Sequence, residues 1–123
     1  MSLSEQPTSA KVLRVIDGDT IVCEVDGKPY TVRLSGVDCF EAQRTPKLRK
    51  QAARAGITLD EAFERGTQAK LFATLLLTGK SVELRFNPAD EDRDRFGRYV
   101  REVWLEGKNC ATKLQAGHYN ASL

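Results

Sequence analysis

Two Asp-Gly pairs, Asp17-Gly18 and Asp26-Gly27, cut the first part of the chain into three short runs rich in β-branched residues. Val12, Leu13, Val15 and Ile16 form the first run. Thr20, Ile21, Val22, Cys23 and Val25 form the second, and Tyr30, Thr31, Val32, Leu34 and Val37 the third. β-Branched side chains suit a pleated surface. Asp-Gly between such runs tolerates the positive φ of a two-residue hairpin. From Lys11 the chain is therefore expected to fold as a three-strand antiparallel meander. Residues 1–10 are polar, include Pro7 and read as a loose tail.

Helical signals come next. Thr45 suits an N-cap, Pro46 the first helical position and Gly56 a helix end. Thr58-Leu59-Asp60-Glu61 has capping-box form. Ala62, Ala69, Phe72, Ala73 and Leu76 then recur at helical spacing until Gly79. Gly66 inside that helix costs about 1 kcal/mol relative to Ala, which points to a close helix–sheet approach. Val82, Leu84 and Phe86 alternate as a fourth strand, residues 87–97 form a charged loop, and Tyr99 to Leu105 form a fifth strand. Asn109 caps a last short helix ending near Gly117. The layout is mainly β, α+β in class: a five-stranded OB-fold barrel with helix between strands 3 and 4 and a short C-terminal helix. Trp104, Phe63 and Phe72 are assigned to the core.

A chain of 123 residues fits one domain, here residues 11–123, expected to act as a monomer. A net charge of +2 is too small to argue for nucleic acid by itself, but Arg44, Lys47, Arg49, Lys50 and Arg54 crowd one stretch. That stretch reads equally as a phosphate track or a solvated helix face. Three cysteines, Cys23, Cys39 and Cys110, show neither zinc spacing nor a disulfide framework. No run is long and apolar enough to span a membrane. No basic leader with an apolar stretch is visible, and the compartment stays open.

Four carboxylates lie just outside adjacent strands: Asp17 and Asp19 at the first turn, Asp38 and Glu41 after the third strand. Hard cations such as Ca²⁺ take oxygen ligands of this kind. Arg33 and Arg98 accompany them, and paired guanidinium forks suit phosphate oxygens and their developing charge. Taken alone, Asp17 and Asp19 are ordinary turn residues. His118 and Tyr119 read as a frayed terminus that only in a sharper reading touches a nucleotide.

Three segments resemble the staphylococcal nuclease (thermonuclease-like) family. Val15-Ile16-Asp17-Gly18-Asp19-Thr20 is similar to its I-D-G-D-T opening. The segment from Val32-Arg33-Leu34 to Val37-Asp38-Cys39-Phe40-Glu41 is similar to R-L-x-G-V-D-T-P-E, and Asp94-Arg95-Phe96-Gly97-Arg98 to D-K-Y-G-R. The resemblance implies a Ca²⁺-dependent nuclease hydrolysing DNA or RNA phosphodiesters to 3′-phosphate ends. It implies Asp19, Asp38 and the backbone carbonyl of Cys39 as metal ligands. Glu41 becomes the general base, Arg33 and Arg98 the phosphate binders, and Asp17 and Thr20 their support. Cys39-Phe40 replaces the family's Thr-Pro, so Glu41 is expected to be less rigidly held. The chain ends where family members continue into a further helix, and reads as a compact member or a piece of a longer protein. The competing reading is a non-catalytic OB-type module for single-stranded nucleic acid, although 7% aromatic content offers it little stacking surface.

Overall fold

In the computed structural model, which describes residues 2–117, 119 and 121, the chain runs β1 (Thr8–Asp17), β2 (Thr20–Val25), β3 (Lys28–Leu34), α1 (Pro46–Ala55), α2 (Leu59–Leu77), β4 (Ser81–Arg85), β5 (Tyr99–Leu105), β6 (Lys108–Asn109) and α3 (Cys110–Ala116). His118 lies outside the described residues. β1, β2 and β3 form the expected meander, and Asp26 (φ 51°) and Gly27 (φ 78°) both take the left-handed conformation that their hairpin requires. β4 pairs antiparallel with β1 and β5, and β5 pairs parallel with β3. This last pairing closes a five-stranded barrel, and the two-residue β6 adds to its edge.

The helix caps follow the sequence signals. Thr45 and Thr58 each accept a backbone N–H, Glu61 completes the capping box at Thr58, and Gly56 ends α1 with φ 70°. Asn109 caps α3, which gives way to Gly117. No described helix is long and apolar enough to cross a membrane.

Side-chain direction departs from expectation in several places. β5 alternates strictly, and its inward residues are Tyr99, Arg101, Val103 and Leu105. Trp104 therefore faces outward, half-buried, with the Arg85 guanidinium 3.9 Å above its ring. Phe63 and Phe72 are likewise half-buried at the margins of two apolar clusters. Two register shifts in β1 turn Leu13 and Ile16 to solvent. β1 also starts at Thr8, before Lys11, and Leu3 is buried with its N–H donating to the Tyr99 hydroxyl. On α2 the buried stripe is Ala62, Gly66, Ala69, Ala73 and Leu77, with Leu76 beside it. β4 stops at Arg85, leaving Phe86 against Arg101.

Arg101 is fully buried on the core face of β5. Its Nη2 pairs with Asp92 at 2.6 Å and its Nη1 donates to the Val100 carbonyl at 2.9 Å. A buried guanidinium is tolerated only when so compensated. The pair ties the 87–98 loop to the barrel mouth, where the candidate site lies.

Candidate functional site

Barrel closure assembles the site. Arg33 stands opposite Thr20 in the β2–β3 register, next to Asp19, and Asp38 and Cys39 follow β3. The parallel β3–β5 pairing brings Arg98, one residue before β5, to the same mouth. Arg98 Nε binds Asp94 Oδ2 at 2.6 Å, and its Nη1 reaches Thr20 Oγ1 at 3.4 Å.

Arg33 is the hub. Its Nη1 donates to the carbonyls of Leu34 and Val37 at 2.6 and 2.7 Å. Its Nη2 donates to Asp38 Oδ1 at 3.2 Å and lies 3.5 Å from Asp19 Oδ2. Asp19 is buried. Its Oδ2 accepts the Cys39 N–H at 2.8 Å and its Oδ1 the Thr20 hydroxyl at 3.0 Å. Burial pushes its carboxyl above the ordinary range, opposed chiefly by the Arg33 charge. Arg33, Lys47 and Arg98 line a pocket of about 330 Å³, together with Ser35, Asp90 and Asp94. The Ser35 hydroxyl donates to Asp90 across one side of it.

Glu41, like Asp19 and Asp38, is not among the residues that line that pocket. Its carboxyl shares a hydrogen bond with Asp17 and is pushed up to about 7, first by burial and then by the Asp17 charge. Asp17 Oδ1 also accepts the Ala42 N–H at 2.9 Å. The turn carrying Glu41 is held without proline. Phe40 is buried in the cluster formed with Leu48, Ala52 and Ala62. Gln51 of α1 fastens both sides of that turn, its Nε2 donating to the Cys39 carbonyl and its Oε1 accepting the Glu41 N–H, each at 2.9 Å. Packing and an amide clamp thus replace the fixed φ of proline. Sequence reasoning missed Gln51. Its signal was a polar residue on the apolar stripe that Leu48 and Ala52 define.

The donor chemistry fits a hard cation. Asp19 and Asp38 present carboxylate oxygens to one cationic point, now held by Arg33 Nη2. The Cys39 carbonyl keeps a lone pair beside its bond to Gln51. Among the described residues no three His, Cys, Asp or Glu side chains gather as a ligand group. The oxygens here that could hold a cation are those of Asp19, Asp38 and the Cys39 carbonyl. The Cys39 thiol is buried and raised well above its usual range, so it packs rather than ligates.

A closed five-stranded barrel with arginines and carboxylates at one mouth defines a class, and comparison gives its family. The family model described as Staphylococcal nuclease homologue matches residues 31–118, and the chain belongs to that family. It is 36% identical over 104 residues to a thermonuclease of Staphylococcus hyicus, covering 85% of this chain and 53% of that protein. It is 35% identical to a thermonuclease of Staphylococcus intermedius, covering 84% and 52%. It is 33% identical to the endonuclease YncB of Bacillus subtilis, covering 82% and 41%. The chain spans about half the length of the curated thermonucleases it matches.

Proposed function

We propose that this chain is a Ca²⁺-dependent nuclease that hydrolyses phosphodiester bonds of DNA or RNA and leaves 3′-phosphate ends. The observation that carries the reading is the convergence of Asp19, Asp38, Arg33 and Arg98 on one mouth of the barrel, with Glu41 on its flank. The printed names of the staphylococcal and Bacillus relatives support it.

Asp19, Asp38 and the Cys39 carbonyl would hold the cation. When bound it supplies positive charge against the phosphate oxygens. Arg33 and Arg98 grip the scissile phosphate and meet the charge that builds on it. Glu41 takes a proton from water as the water oxygen bonds to phosphorus. The bond from phosphorus to the 5′-oxygen breaks with its electron pair, and that oxygen takes a proton from solvent. Asp17 and Gln51 position Glu41.

A double-mutant cycle tests the shared phosphate role. Arg33→Gln and Arg98→Gln should each lower kcat/KM on a fluorogenic DNA by about a hundredfold or more. The double variant should lose less than the product of the two, because both act on one phosphate. Unchanged activity in either single variant rejects that arginine's role.

A further inference from the structure

We infer that the exposed face of α1 carrying Lys47, Lys50 and Arg54 is a track for the nucleic-acid strand leaving the phosphate pocket, which makes the preferred ligand a polynucleotide rather than a short nucleotide. The inference rests on the phosphate pocket proposed above. The three cations stand at i, i+3 and i+7, within an arc of about 60° at 100° per residue. Lys47 lines the pocket and lies 3.8 Å from Asp38. Gln51, about 40° around the helix from Lys47, is the residue that touches Cys39 and Glu41. The stripe therefore borders the edge of α1 that faces the site.

The charge of Lys50 and Arg54 is available, while Lys47 is shared with Asp38. Lys47, Lys50 and Arg54 are exposed, the first turn of α1 contains no acidic residue, and among the described residues neither Lys50 nor Arg54 makes an ion pair. Arg44 differs, being taken up by Asp60 at 2.8 Å. From Lys47 to Arg54 the helix rises about 10 Å, long enough to meet more than one backbone phosphate of a strand. A solvated helix face would need no such alignment with the pocket.

The test is fluorescence anisotropy in chelator, where no cutting is expected, with a 30-nucleotide single strand and a dinucleotide. For Lys50→Glu/Arg54→Glu, the Kd for the 30-mer should rise by about tenfold or more at low salt. The log–log salt slope should fall by about 1.4, while dinucleotide binding stays as in wild type. Lys28→Glu/Lys108→Glu changes the net charge equally on exposed residues away from the pocket, and should lose much less. A stripe variant that binds the 30-mer like wild type, or a control that loses as much, overturns the track. Absence of cleavage with Ca²⁺ rejects the nuclease reading, whereas the binding result stands by itself.

Discussion

Gly66→Ala is expected to destabilise the protein by about 3 kcal/mol and to cut nuclease activity by about a hundredfold. A Cβ at this position would lie 1.9 Å from the Glu41 carbonyl oxygen, 2.7 Å from its carbonyl carbon and 3.0 Å from the Phe40 carbonyl oxygen. All three are backbone atoms, so no side chain can swing away. Alanine gains about 1 kcal/mol of helix propensity, which the clash outweighs. Either α2 withdraws from the barrel or the Phe40–Glu41 turn shifts, and both move Glu41. Urea denaturation and reporter cleavage read the two effects. Stability at or above wild type would show that the turn yields freely.

Glu41→Gln is the second large effect. Loss of the base should lower cleavage by about 10²–10⁴-fold at saturating Ca²⁺. The metal-free fold should respond in the opposite direction. The folded state raises the Glu41 pKa from 4.5 to about 7, so it favours the neutral form. The stability from this group is fully present below about 4.5 and is lost as pH rises through about 7. Glutamine mimics the neutral form. In chelator the variant should match wild type near pH 4.5 and exceed it at pH 8 by about 1 kcal/mol, a figure discounted because Glu41 is half-exposed. Equal cleavage by variant and wild type removes Glu41 from the chemistry. Equal stability at pH 8 removes the burial argument.

Much of this architecture was legible in the chain. Asp26-Gly27, Thr45-Pro46 and the Thr58–Glu61 box act through local backbone geometry, and local geometry is written in adjacent residues. The strand-end carboxylates and arginines were legible because three short motifs bring them in one order. What stayed hidden depends on distant partners. Trp104 faces outward because Arg101 takes the inward position on β5, and only the barrel shows that Asp92 compensates the buried charge. Gln51 reads as an ordinary helix residue until the Cys39–Glu41 turn folds against it. Leu13 and Ile16 belong to the first apolar run, and only the β1 register shifts, set by pairing with β2, show that they face solvent. Gly66 was read as permitting a close helix–sheet approach, and the close neighbour is the Phe40–Glu41 turn instead.

The most direct measurement is digestion of a single-stranded DNA reporter by the wild-type chain, with Ca²⁺ and with chelator, followed by end-group analysis of the products. The site of Asp19, Asp38, Arg33, Arg98 and Glu41 predicts cleavage that requires Ca²⁺ and fragments that carry 3′-phosphate. Cleavage unchanged by chelator, fragments with 3′-hydroxyl ends, or binding of the strand with no cleavage at all would contradict it.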